Sequence, residues 1–436
     1  MQLSARMLGG KDLITGKEIF MEKMYEDLIK ITDYELVGEL PDPFLFEDGS
    51  RVTNVEDWAR RRKEIYESAV RLQYGDVPPE PEVVRVTPLY TPGFGYVNSF
   101  RIIAGTKERQ LSFLMQLRLP KRSTAGELPP VAVIGDMCFE YMFDKEYLSV
   151  FLDNGIAIAT FNRTELAHDL TEQDLDSFAG FPKMQEMIKE ELDKNRACGR
   201  FGPIYDVYPD RDFGSIAAWA WGYSRCVDAL EHIGLTDMGC IAFTGHSRGG
   251  KTAILAGVLD ERARIVNPNE TCAGGCSCYR LNIKAICEDG VERESERGGR
   301  LTSAFPLWMG SELANYAGRE AELPFDSHYL KALVAPRVLF VSEAASDIWG
   351  NPVGSWQTSE AAKEVYKFLG CEENLLWYFR RGTHYHEIED VEQLVNIIKH
   401  LKHGEPLNDK YFKKPFADIE PAYSWRAPEN KSKPSI

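Results

Sequence analysis

Apolar and polar residues tend to alternate in three consecutive stretches, VVRVTPLY (83–90), SFRIIAG (99–105) and LSFLMQLRL (111–119). A period of two predicts antiparallel strands with one buried face. From there the pattern changes. Short, wholly apolar runs at Val131–Ile134, Ile156–Thr160, Cys240–Thr244 and Ile265–Val266 are separated by stretches with helical spacing. Such runs suit strands covered on both faces, and their alternation with helices predicts βαβ units and a parallel sheet. Two later runs, Arg337–Glu343 and Asn374–Phe379, read as further buried strands, the second followed by a helical pattern from Glu387 to His400. Ser215–Ile233 reads as a strongly apolar helix rich in Trp and Ala, expected to lie buried against the sheet. Ahead of the sheet, residues 1–80 read as an extension carrying a charged helix over Val55–Leu72, with Trp58, Ile65 and Leu72 on one face. The main domain is placed at 81–404, with a polar, Pro- and Gly-broken insertion at about 162–212 rimming one face of it and a tail at 405–436. No internal repeat interrupts this order. The expected fold is α/β, a mostly parallel central sheet flanked by helices on both faces.

Gly245–Thr252, read GHSRGGKT, fits two motifs with incompatible chemistries. As G-x-S-x-G it is a nucleophile elbow, a strand turning sharply into a helix with Ser247 at the apex. As G-x-x-x-x-G-K-[ST] it is a phosphate-cradling loop. Later residues favour the elbow. An acid after the penultimate strand (Asp347) and a histidine after the last (His384, with His386 as the alternative) follow the hydrolase order of nucleophile, acid and base. The rival needs an apolar strand ending in an acid for its metal, and Ile283–Asp289 could serve.

A net charge of −16 over 436 residues argues against nucleic acid or anionic membranes as partners. Nine cysteines, an odd count, disfavour a complete disulfide framework. Cys272, Cys276 and Cys278 have no second ligand pair at zinc spacing and read as small core thiols. No apolar stretch reaches the length of a membrane span, and Met1–Phe20 lacks a signal-peptide core, so the expected location is cytoplasmic unless a leader has been removed. Oligomeric state is not legible.

The ordered motifs resemble those of the glucuronoyl esterase family of carbohydrate esterases, α/β-hydrolases whose signature is G-C-S-R-x-G-K. Here it reads Gly245-His246-Ser247-Arg248-Gly249-Gly250-Lys251. Leu40-Pro-Asp-Pro43, Asp57-Trp58, Tyr74-Gly-Asp-Val-Pro78, Ala218-Trp-Ala-Trp-Gly222, Asn269-Glu270, Phe305-Pro-Leu-Trp308, Leu323-Pro-Phe-Asp326-Ser-His328 and Asp347-Ile-Trp349 follow in the family's order, so the likeness spans about residues 40–400. One departure stands at the nucleophile. The family often bridges a cysteine before the serine to one after the histidine, and those places hold His246 and Tyr385. A related set of acetylxylan esterases carries a similar G-H-S-R-G-G-K elbow.

The resemblance implies hydrolysis of alkyl esters of 4-O-methyl-glucuronic acid through an acyl-enzyme, without metal or cofactor, on a small carbohydrate ester substrate. Deacetylation of xylan is the alternative. Ser247 is the expected nucleophile and His384 the base. The acid is expected from Glu270, which matches the family's glutamate, or Asp347, at the place more general to α/β-hydrolases. The Arg248 amide and guanidinium are expected to serve the oxyanion, with a second donor from around Asp136–Phe139. Lys251, near the mouth of the cleft, and Trp308, offering a ring face and an indole donor, are expected to bind substrate.

Overall fold

The computed structural model describes residues 29–90, 97–121, 127–135, 145–170, 172–198, 201–416 and 419–432. Among them the strands are, in chain order, β1 (Ile29–Leu36), β2 (Val83–Tyr90), β3 (Val97–Gly105), β4 (Gln110–Arg118), β5 (Val131–Ile134), β6 (Ala157–Phe161), β7 (Ile241–His246), β8 (Ala263–Asn269), β9 (Leu281–Cys287), β10 (Glu292–Glu294), β11 (Val338–Ala344) and β12 (Leu375–Arg380). Nine of these form one sheet in the order β12-β11-β8-β7-β5-β6-β4-β3-β2. From β12 to β6 every neighbouring pair is parallel, and β4, β3 and β2 continue the sheet antiparallel.

This order follows from the two periodicities. β5, β6, β7, β11 and β12 are buried at every position, whereas β3 and β4 alternate buried with more exposed residues. Pro88, which cannot donate to a ladder, sits in β2 at the edge. Successive residues of the parallel strands feed opposite layers. Val131, Val133, Ile241 and Phe243 pack with Trp219 and its neighbours on the helix Ser215–Ile233. Ala132, Ile134 and Ala242 pack with Phe151 on the helix Lys145–Asp153 and with Leu394 and Ile398 on the helix Ile388–His403. Each fully buried aliphatic or aromatic side chain contributes roughly 1.5–3 kcal/mol.

The helix Ser215–Ile233 also anchors the flanking segments. Trp219 donates its indole N–H to Ala167 O in the insertion at 2.8 Å, and Trp221 donates to Pro79 O in the extension at 2.9 Å. The extension is bound on a second side, because β1 pairs antiparallel with β9 in a separate three-stranded sheet, β1-β9-β10. Its helix covers Val55–Tyr66 and continues through a wider turn, Glu67–Arg71, to Tyr74. The tail crosses it, with Trp425 donating to Leu40 O at 2.7 Å. No helix among the described residues is long and apolar enough to cross a membrane.

The strand order reverses around β5, which has β6 on one side and β7 on the other. In such sheets ligands bind beyond the carboxyl ends of the strands at that switch point. Ser247, Glu270, Asp347 and His384 lie just past the ends of β7, β8, β11 and β12, so parallel pairing delivers all four to one edge.

Candidate active site

Ser247 occupies φ 56°, ψ −119°, between the last residue of β7 and the first of the helix Arg248–Leu259. A non-glycine residue there stores about 1–3 kcal/mol of strain, which the surroundings must hold. They do so with hydrogen bonds from Ser247 N–H to Asn269 O at 2.9 Å and from Lys251 N–H to Ser247 O at 3.0 Å. Gly250 is required next to this turn, since a Cβ would come within 2.5 Å of Asn269 O and 2.9 Å of Thr271 Cγ2.

His384 Nε2 lies 3.0 Å from Ser247 Oγ, and its Nδ1 lies 2.7 Å from Asp347 Oδ2. The imidazole therefore bridges a hydroxyl and a carboxylate. Glu270 stands on the same side, its Oε2 3.4 Å from His384 Nδ1, fully buried and ion-paired with Arg380. By distance Asp347 makes the closer contact with the imidazole and Glu270 the second. Burial disfavours the imidazolium, but the bonds from Asp347, Cys272 and Glu270 outweigh it and raise the His384 pKa. Burial pushes the Glu270 carboxyl up, opposed by His384 and Arg380.

His386, the other candidate base, is buried against His246 with ring centroids 5.5 Å apart and planes at 8°. Burial and the nearby Arg380 charge push its pKa down to about 3. The two places where a cysteine bridge would stand are not joined: Tyr385 is 68% exposed, while His246 donates from Nδ1 to Asn269 Oδ1 at 2.7 Å. The adjacent imidazole stack tethers the His384 loop to the elbow instead.

Arg248 begins a helix, so its amide belongs to the first turn, which has no intrahelical acceptors. Its guanidinium is held by Asp169, Nη1 to Oδ2 at 3.1 Å, and lies 4.6 Å over the Trp308 ring. Asp169 also accepts from Arg163 at 3.0 Å and from Trp308 Nε1 at 2.8 Å. Both expected substrate-binding side chains have internal partners. The Trp308 indole N–H is committed to Asp169, and the ring is stacked on Phe305 at 3.8 Å. Lys251 is 2% exposed, donates to Thr271 O, and has its Nζ 5.9 Å from the Trp308 ring centroid. The expected second oxyanion donor, around Asp136–Phe139, lies outside the described residues.

The phosphate-loop alternative loses its supports. Lys251 Nζ points at a backbone carbonyl, and the candidate acidic strand, β9, belongs to the other sheet. Among the described residues, one set of donors, Cys272, Asp347 and His384, comes within 4.8 Å of one another. Burial raises the Cys272 thiol to about 11, and Asp347 and His384 are bonded to each other. Cys272, Cys276 and Cys278 are free thiols, and all three are buried.

Residues 180–370 match the family model described as glucuronyl esterase, fungi. A 4-O-methyl-glucuronoyl methylesterase 1 from Wolfiporia cocos is 30% identical over 352 residues, covering 80% of this chain and 76% of the relative. The chain belongs to the glucuronoyl esterase family. It is thus a carboxylic ester hydrolase on an α/β-hydrolase fold. A glucuronoyl esterase of carbohydrate esterase family 15 from Caldicellulosiruptor kristjansonii superposes on it with a TM-score of 0.74 at 27% identity, covering 93% of this chain and 100% of that one. A mutant glucuronoyl esterase from Sporotrichum thermophile, solved with methyl 4-O-methyl-β-D-glucopyranuronate, shares the fold at TM-score 0.65 and 23% identity, covering 87% and 90% of the two chains.

Within this esterase the residues that sequence reasoning missed are Asp169 and Arg380. Asp169 sits in a polar insertion with no motif around it. Arg380 had a signal: it opens the Arg380-Arg-Gly-Thr-His384 segment, and a charged residue closing a buried strand needs a partner.

Proposed function

We propose that this esterase hydrolyses esters of 4-O-methyl-glucuronic acid with Ser247 as nucleophile, His384 as general base and then acid, and Asp347 as the carboxylate that orients the imidazole. The observation that carries the reading is the continuous hydrogen-bonded chain Ser247 Oγ, His384, Asp347, with links of 3.0 and 2.7 Å. His384 Nε2 takes the hydroxyl proton as Ser247 Oγ attacks the ester carbonyl. Charge develops on the carbonyl oxygen beside the Arg248 amide and the guanidinium that Asp169 fixes. Collapse expels the alcohol, which receives the proton from His384. Water then enters by the reverse sequence, with His384 again as base, and releases the uronic acid. The substrate class comes from the relatives: the Wolfiporia cocos enzyme is a methylesterase of this uronic acid, and the Sporotrichum thermophile structure holds its methyl ester.

Hydrolysis of methyl and benzyl glucuronate, measured beside 4-nitrophenyl acetate and an acetylated xylo-oligosaccharide with Ser247→Ala as control, tests this. Turnover of the uronate esters that disappears in the variant is the expected result. Serine-dependent turnover of acetyl substrates alone would move the function to deacetylation and sink the uronate reading.

A further inference from the structure

We infer that Arg380 is the positioning residue of this site, bracing the His384 loop through its backbone carbonyls and holding Glu270 as a second carboxylate against the imidazole. The inference rests on the Ser247–His384 reading above. Arg380 closes β12, is 2% exposed, and spends its donors on everything that frames His384. Nη1 donates to Arg381 O at 2.9 Å, and Nη2 donates to Thr383 O at 3.3 Å and to Tyr385 O, so the residues on both sides of His384 are tied to one guanidinium. Nε donates to Asp390 Oδ2 at 2.8 Å, and the same oxygen accepts the Glu387 N–H at 3.0 Å, linking the loop's far end to the start of the helix Ile388–His403. Gly382 has φ +112°, and a Cβ there would lie 2.6 Å from Arg380 Nη1, so the loop is shaped around this side chain. The Asp347 side is tied in as well, by Ala345 N–H to Arg380 O at 2.8 Å and Ser346 N–H to Gly382 O at 3.2 Å.

Glu270 is the remaining partner. It stands at φ 43° with its N–H given to Ser342 O at 3.0 Å, and it offers one oxygen to Arg380 and the other to His384. A carboxylate with no exposed surface reverts to its neutral form unless a cation is in contact with it. Arg380 is that cation, and only a planar fork can serve Glu270, Asp390 and three carbonyls together. The charged and titratable groups facing this cluster are Asp347, Glu270, Cys272, Glu296, Glu343 and His246 around His384, and Glu270, Asp390, Glu387, His246 and His386 around Arg380.

The test is the pH dependence of kcat/KM, with kcat counted per serine titrated by a fluorophosphonate, for wild type, Glu270→Gln, Arg380→Met, their double variant and Arg380→Lys. In the wild-type background Glu270→Gln lowers the acid limb by about one pH unit, because one of two anions facing the imidazole is gone. In the Arg380→Met background the same change moves nothing, because Glu270 is already neutral. Arg380→Lys keeps a cation beside Glu270 but cannot span the loop, so kcat falls roughly tenfold while KM stays within about twofold. An equal shift of the limb in both backgrounds, or wild-type kcat in Arg380→Lys, overturns the inference. If Arg380→Met does not fold, the Arg380→Lys arm decides. Ser247→Ala separates the two levels: an inactive Ser247→Ala beside an unaffected Arg380→Lys removes the positioning role alone, whereas activity surviving in Ser247→Ala removes the hydrolase reading beneath it.

Discussion

Two carboxylates face one imidazole nitrogen, and their distances, 2.7 Å for Asp347 and 3.4 Å for Glu270, give them different work. Asp347 fixes the tautomer that leaves Nε2 free to accept from Ser247. Asp347→Asn should therefore lower kcat on the order of 10²-fold or more with little change in KM. Both anions favour the imidazolium, and protonated His384 cannot take the serine proton. Activity should accordingly rise with pH along a limb above the ordinary histidine value of about 6.5, and Asp347→Asn should bring that limb down. A limb at the same pH in wild type and variant would refute the electrostatic account. Asp169 supports a second prediction. Asp169→Asn weakens the hold on Arg248 and Trp308 together and should reduce kcat roughly tenfold, readable in steady-state kinetics on benzyl glucuronate. Ser247, His384 and Asp347 were legible because motif and strand order fix them. The ranking of the two acids was not, because it depends on an arginine 110 residues from Glu270. Nor was the burial of Lys251, which lies on a helix enclosed on every side, where amphipathic spacing carries no information.

At the scale of elements, the helix Arg248–Leu259 presses on β8 through glycines. A Cβ on Gly257 would meet Val266 Cγ2 at 2.4 Å, a side-chain contact that can yield in part. A Cβ on Gly250 would meet the carbonyl oxygens of Asn269 and Gly245 at 2.5 and 3.0 Å, which cannot yield without moving the elbow. Gly257→Ala should cost about 1–3 kcal/mol of stability from overpacking, less about 1 kcal/mol regained in helix propensity, and leave kcat per folded serine intact. Gly250→Ala should lose stability and, in addition, on the order of 10² in kcat. Thermal unfolding beside serine-titrated kcat distinguishes them, and equal kcat losses would contradict the assignment. The same elements show what hydrophobic pattern conveys. The helix Ser215–Ile233 was legible because apolar residues, Trp and Ala above all, dominate it. β8 was read as Ile265–Val266, yet it runs to Asn269, because its polar residues are buried in mutual bonds: Thr244 Oγ1 to Asn267 Oδ1 at 2.8 Å, and Asn267 Nδ2 to Phe340 O at 2.8 Å. The helix Pro182–Cys198 in the insertion escaped notice for the opposite reason, since it is largely polar.

Across the whole molecule, the chain around Pro41, the helix His328–Val334 and the chain around Trp425 meet at His328. This residue opens the helix His328–Val334, donates from Nε2 to Pro41 O at 2.8 Å, and stacks on Trp425 at 5.8 Å. It has no exposed surface, and burial pushes its pKa down to about 4, against the opposing pull of Asp326. An unfolded histidine binds its proton below about 6.5. The folded chain resists protonation until much lower pH, so this group's contribution to stability is whole above 6.5 and is lost as pH falls toward 4. The loss amounts to roughly 3 kcal/mol over that window. Buried carboxylates with raised pKa values, such as Glu343 at about 8, act in the opposite direction over the same range, so the wild-type profile alone would not isolate the effect. A difference measurement does. His328→Gln keeps an N–H donor but cannot titrate, and it should be less stable than wild type at pH 7. That deficit should shrink, or reverse sign, by roughly 3 kcal/mol at pH 4 in urea unfolding followed by tryptophan fluorescence. A deficit unchanged between pH 7 and pH 4 would mean that the three segments are clasped by packing alone, with no proton linkage through this histidine.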